Sequence, residues 1–166
     1  NINVTGNKPT YAPKNTGLNI TQLYAAAISP TAGTNYILDG TQDNGSHKYT
    51  SVGINNVTEV SGGDGAFCHI SPVNANNQIT SYTNNNYYIS TNGGATFPAA
   101  AVINTRGSFI NPTDYDGNNL YGADDAGSFF RWTNPQGNTA TGSPQVVANF
   151  SGATVTHVSI SKLTAN

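Results

Sequence analysis

Short apolar runs follow one another along this chain, and each stops at residues that favour turns. Residues 20–28 form an apolar stretch that Pro30 and Gly33 end. Residues 36–40 make a second strand signal, Asp43-Asn44-Gly45 is a tight-turn signal, and residues 47–52 supply the return strand. The order then repeats. A Gly62-Gly63-Asp64-Gly65 loop leads to strands at 66–71 and 78–83, a turn at Asn84-Asn85-Asn86, a strand at 87–90 and a turn at Asn92-Gly93-Gly94, and Phe97 opens the last piece. A third pass gives strand signals at 107–110, 118–122, 128–132 and 145–149. No stretch carries the 3.6-residue apolar period of an amphipathic helix.

The passes are tied together by a recurring motif. An apolar pair followed by a small polar residue and proline occurs at Ala27-Ile28-Ser29-Pro30, His69-Ile70-Ser71-Pro72 and Phe109-Ile110-Asn111-Pro112, spaced 42 and 40 residues apart. Val158-Ser159-Ile160-Ser161 arrives 50 residues later, with Lys162 in the place of proline. A period of that size filled with short strands and turns is the signature of β-propeller blades. The expected fold is therefore all-β: about three to three and a half four-stranded blades of a larger propeller. Residues 1–19 read as a lead-in or the end of a preceding blade. Blade-like units follow at 20–60, 61–104 and 105–152, and 153–166 begins a further one. Closed propellers use about four to eight blades. The reading therefore calls for the remaining blades of a parent chain, or a partner chain, to cover open strand edges.

Composition narrows the function. Charged residues are 8% of the 166, the formal net charge is −2, and the six Lys and Arg are scattered. A phosphate-gripping basic patch is missing, which argues against a nucleic-acid partner. No apolar run is long enough to span a bilayer, so no membrane insertion is expected. Cys68, the one cysteine, lies in the apolar run 66–70 and reads as a small buried hydrophobe rather than a catalytic thiol. The chain opens at Asn1 without Met, read as a mature, trimmed or partly observed product. Asn-x-Ser/Thr sequons include those that begin at Asn3, Asn19, Asn56 and Asn149.

Ser90-Thr91-Asn92-Gly93-Gly94-Ala95-Thr96-Phe97 resembles the Asp-box of sialidase-type (BNR) repeats, with Asn92 in place of Asp and Phe97 in place of Trp. Its physical content is local: Asn92 bonds neighbouring backbone N–H groups, Gly94 takes a conformation other residues resist, and the aromatic staples the turn. Ser90, Asn92, Gly94, Thr96 and Phe97 thus form a folding device. Together with Gly40–Gly45, the Gly62–Gly65 loop and Ser71-Pro72, the motif makes residues 18–135 similar to secreted bacterial BNR-repeat proteins, which share a blade type with xyloglucanase and sortilin propellers. The resemblance implies a secreted or cell-surface, bacterial protein. The third unit departs from it: Asn134 and Gly137 lack the flanking serine and Thr-Trp, and the first unit has no box.

Candidate chemistry is sparse. A sialidase site needs three arginines and a Tyr/Glu nucleophile pair; this chain has Arg106, Arg131 and a single glutamate, Glu59. Inverting glycosidases need two carboxylates roughly 6.5–9.5 Å apart. Asp43 and Asp64, in Gly-flanked loops, are the catalytic candidates, set against the plainer reading that both are turn formers. Gln42, Asp43, Asn44, Asp64 and Asp124 are the ligand-binding candidates. Asp124 and Asp125, adjacent on a strand, point opposite ways, and His47, His69 and His157 stand apart, so neither a metal nor a cofactor is expected. Tyr82, Tyr87, Tyr88, Tyr121, Phe129 and Trp132 offer sugar-stacking surfaces or, more commonly, core. The leading function is a non-catalytic extracellular module that binds a glycan or protein, or serves as a surface scaffold. Part of a secreted glycoside hydrolase is the alternative, and passenger cargo of a bacterial secretion system a third.

Overall fold

The computed structural model of the chain describes residues 2–3, 8–12, 17, 20–53, 57–102, 107–124, 127–137 and 145–161. Asn19, Asn56, Arg106, Asp125 and Lys162 lie outside the described residues.

A short ladder, β1 (Ile2–Asn3) with β2 (Thr10–Tyr11), comes first. Three four-stranded antiparallel sheets follow, each a simple meander. The first holds β3 (Leu23–Ile28), β4 (Ile37–Thr41), β5 (Gly45–Tyr49) and β6 (Thr58–Ser61). The second holds β7 (Cys68–Ile70), β8 (Gln78–Ser81), β9 (Asn86–Ser90) and β10 (Ala99–Val102). The third holds β11 (Thr113–Tyr115), β12 (Asn119–Ala123), β13 (Ser128–Thr133) and β14 (Gln145–Asn149). No α-helix occurs among the described residues. The all-β architecture expected from the strand signals is present.

The repeat is set by the strands and not by proline. The first strands of the sheets end at Ile28, Ile70 and Tyr115, 42 and 45 residues apart. Phe109-Ile110-Asn111-Pro112 is accordingly a false third copy of the motif. Residues 107–112 are bends and loop ahead of β11, and Phe109 is 54% exposed. Strand identity there is decided by pairing: Thr113 faces Gly122 and Tyr115 faces Leu120, whereas the loop residues have no strand opposite them. The positions matching Ile28 and Ile70 are Tyr115 and, one period later, Ile160. Residues 153–161 run without ladder partners, and Ile160 N–H donates to Asp114 Oδ2 at 2.7 Å.

Because side chains alternate across a strand, each sheet has two faces. Leu38 and Ala27 on the first sheet pack with Cys68 and Ile70 of the second, joined by Tyr36, Val60, Ala75 and Phe97. On the other face of the second sheet, Ile79, Tyr87 and Ile89 pack with Tyr115, Leu120, Phe130 and Trp132 of the third. Tyr87 meets Phe130 and Trp132 edge-on, at centroid distances of 6.2 and 6.0 Å. Tyr87 is buried and its neighbour Tyr88 only half so, the in-and-out alternation of a strand. Cys68 is buried and free, its Sγ donating to the Leu38 carbonyl at 3.1 Å. Burial, aided by the Asp39 carboxylate, pushes the thiol up to about 12, far from reactive thiolate.

Candidate ligand-binding rim and axial cleft

The meander sorts the turns onto two rims. The β4–β5 turn and the 62–67 connection meet on one of them: Gly45 N–H donates to Gly63 O at 2.7 Å, and Gly65 N–H to Thr41 O at 2.8 Å. The approach is so close that a Cβ at Gly40, Gly45 or Gly65 would run into backbone. Asp43 takes a left-handed conformation, φ 61°, and its N–H donates to Asp64 Oδ1 at 3.0 Å. The fold therefore brings Asp43 and Asp64 together, with Asp64 spending an oxygen on a backbone N–H. Gln42, Asp43 and Asn44 stand exposed beside them, Asn44 donating from Nδ2 to Gln42 O at 2.9 Å. Asp124 belongs to the same rim but to the third sheet, where it is buried and its N–H closes the turn onto Ser128 O. Tyr82 lies against Gly63 and Phe109 projects nearby, linked through Asn84 N–H to Phe109 O at 3.3 Å.

The 90–97 turn lies on the opposite rim, between β9 and β10. Ser90 Oγ accepts Gly94 N–H at 2.9 Å, and Asn92 Oδ1 accepts Thr96 N–H at 3.1 Å and the Ser90 hydroxyl at 2.8 Å. Asn92 Nδ2 donates to Thr96 Oγ1 at 2.9 Å. Gly94 has φ 75°, Phe97 packs into the core shared with the first sheet, and Lys48 Nζ donates to Gly94 O at 2.8 Å. Ser90, Asn92 and Thr96 are thus occupied in holding the turn, and Phe97 in docking it.

Two polar pairs went unnoticed in the sequence. Asp39, fully buried on β4, faces His47 on β5; Asp39 Oδ1 lies 3.0 Å from His47 Nδ1 and accepts His47 N–H at 3.2 Å. Burial and the Asp39 carboxylate push the Tyr49 hydroxyl up to about 12. The signal was available: a turn centred on Asp43 puts residues 39 and 47 opposite each other. His69 Nε2 lies 2.8 Å from Thr113 Oγ1, bridging the first strands of two sheets, and its ring packs on Tyr115. Burial lowers His69 to about 4, against an opposing pull from Asp114. His47 and His69 therefore have partners, contrary to the expectation that the histidines stand apart. No cluster of three metal-ligating side chains forms among the described residues.

The first strands of the three sheets, with residues 157–159, enclose an axial cleft of about 560 Å³. Of its polar groups, His69 is engaged on Thr113, and Asp114 on the N–H groups of Ile160 and Tyr115.

No protein-family model matches the chain, and none of the curated proteins does. Solved structures do. An ancestral GH74 enzyme superposes with a TM-score of 0.54 at 17% identity, covering 72% of this chain and 18% of that one. Sqt1 of Saccharomyces cerevisiae superposes with a TM-score of 0.53 at 14% identity, covering 77% and 35%. Both are β-propellers, so the sheets here are arranged as propeller blades. The chain spans about a fifth and about a third of those two chains.

Proposed function

We propose that this chain is a non-catalytic, extracellular β-propeller segment whose rim of β4–β5 and sheet-connecting loops binds a glycan or protein, and that its 90–97 turn is an Asp-box of the BNR type. One observation carries the reading. Asp64 is built into the loop as an acceptor for Asp43 N–H, while Gln42, Asp43 and Asn44 are displayed on the rim above it. Display of fixed polar groups on a rigid scaffold suits recognition. The secreted and bacterial assignment rests on the BNR resemblance alone. A glycan array and a pull-down with the whole chain test it. Binding that falls at least tenfold in Gln42→Ala and Asn44→Ala, with unchanged melting, supports the rim; two empty screens alongside measured hydrolase activity overturn it.

The hydrolase alternative draws on the adjacency of Asp43 and Asp64 and on the fold shared with a GH74 enzyme. It requires turnover that drops in Asp43→Asn or Asp64→Asn; unchanged turnover in both ends it.

A further inference from the structure

His69 stands where three first strands and a lightly packed segment meet. Its Nε2 lies 2.8 Å from Thr113 Oγ1, and its ring packs on Tyr115. It lines the axial cleft together with Asp114 on β11 and residues 157–159. The titratable groups that share the cleft wall with it are Asp114 and Tyr115 on β11, His157 on the segment, and Cys68 on its own strand, whose Sγ turns to Leu38 O. The first sheet contributes Ala25–Ile28 and β8 places Ile79 opposite His69, all uncharged.

Asp114 serves two sides of that cleft. Its Oδ1 accepts Tyr115 N–H at 2.8 Å, and its Oδ2 accepts Ile160 N–H at 2.7 Å. Among the described residues, the second of these is the hydrogen bond that ties residues 155–161 to the sheets. Thr156, His157, Ser159 and Ser161 are exposed, and Val155, Val158 and Ile160 only half-buried. The same carboxylate attracts the His69 ring. A neutral imidazole leaves Asp114 to the segment. A protonated imidazole has two N–H donors; Thr113 takes one, and the other calls for an acceptor that Asp114 supplies as a charged one. Burial opposes the charge and holds the ring at about 4, below its ordinary 6.5. Undocking the 157–159 wall brings water to the ring and frees the carboxylate for it. Protons therefore bind the undocked form more tightly than the docked one, and acid favours undocking. We propose that His69 and Asp114 form an acid-operated latch: in neutral solution Asp114 holds Ile160 and keeps the cleft wall in place, and in acid it turns to His69 and residues 155–161 come away. The latch is independent of any ligand on the loop rim.

Backbone NMR on the whole chain between pH 7 and pH 4 tests it. Order parameters within 155–161 fall below about 0.6 as pH drops, while the signals of β8 and β9 keep their folded dispersion. His69→Gln, which retains a donor for Thr113 and cannot become charged, leaves the segment ordered across the range. Asp114→Asn, which lacks the second carboxylate oxygen, loosens it already at pH 7, and His157→Gln leaves the acid transition in place. A segment equally ordered at both pH values in the parent chain overturns the inference. So does loss of order shared by β8 and β9, which is unfolding of the sheets rather than release of a latch. Both readouts stand even where a variant fails to fold. In folded variants, an acid transition that persists in His69→Gln or vanishes in His157→Gln overturns it, as does a segment still ordered at pH 7 in Asp114→Asn.

Discussion

The front of the third sheet and the front of the first are built on the same register, and they end in opposite conditions. In the third sheet the column Tyr115, Leu120 and Trp132 is wedged into the second sheet, with Phe130 beside it, all buried. In the first sheet the matching column is Ile28, Ile37 and Tyr49, with His47 in the place of Phe130. Ile28 is 74% exposed where Ile70 is 9% and Tyr115 6%. The difference teaches that strand position does not by itself make a core residue. A neighbouring sheet does, and the buried aromatic column of the third sheet stands where that neighbour is present. At the first sheet's front stand Asp39 and His47, a hydrogen-bonded polar pair, beside Ile37 and Tyr49.

The contrast can be broken most forcefully by truncation. Trp132→Ala is expected to cost about 3–5 kcal/mol in urea unfolding, whereas Ile28→Ala costs under about 0.5 kcal/mol; equal costs would erase the distinction between the two fronts. The next largest effect is a pH dependence. His69 titrates near 4 in the folded state, below its ordinary 6.5, so the unfolded chain binds more protons between those values. Stability is complete above pH 6.5 and falls by roughly 2–3 kcal/mol as pH drops toward 4. His69→Gln flattens that part of the profile.

Smaller still is the polar network beside the aromatic wedge. Asn111 Nδ2 donates to Asn85 Oδ1 at 2.5 Å and to Ala123 O at 2.7 Å, and Tyr87 donates its hydroxyl to Asn85 Oδ1 at 2.7 Å. Asn111→Ala takes one donor from each of these acceptors and removes the Oδ1 that accepts Ser108 N–H at 2.9 Å, and is expected to cost about 1–3 kcal/mol. Least is the 90–97 turn: Asn92→Ala loses about 1 kcal/mol by thermal melting, while Asn92→Asp, which keeps the acceptor for Thr96 N–H, stays near the parent value.

How much of this was legible in the sequence depends on range. Turns were, because their signals are local. Asp43-Asn44-Gly45 and Asn92-Gly93-Gly94 turn where the residue types say they must, with positive φ at Asp43, Gly45, Gly93 and Gly94. The strand repeat was visible too, although its phase slipped in the third unit. Asn111 and Pro112 imitate the end of a strand, but Asn111 is instead buried as a hub that holds loop 107–112 against Asn85. That role belongs to a partner 26 residues away and leaves no mark on neighbouring residues. The rim was half readable. Gly-flanked loops announced Asp43 and Asp64, but only the close backbone approach shows one carboxylate serving the other's N–H. Asp124 carried the same local signal and proved buried, two sheets away. The Asp39–His47 and His69–Thr113 pairs depend on register across strands and between sheets, which periodicity alone does not give.

The tight seating of the turns bears on how the chain ages. Its two Asn-Gly steps, Asn44-Gly45 and Asn92-Gly93, are the sequences most prone to spontaneous deamidation, a reaction in which the glycine nitrogen attacks the asparagine side-chain carbonyl to close a succinimide ring. In the folded protein both nitrogens are held elsewhere, Gly45 N–H on Gly63 O at 2.7 Å and Gly93 N–H on Asn76 O at 3.1 Å. Each attack has to wait for its loop to open, so the hydrogen bonds that join strands and sheets also slow the chemical clock of an asparagine-rich chain.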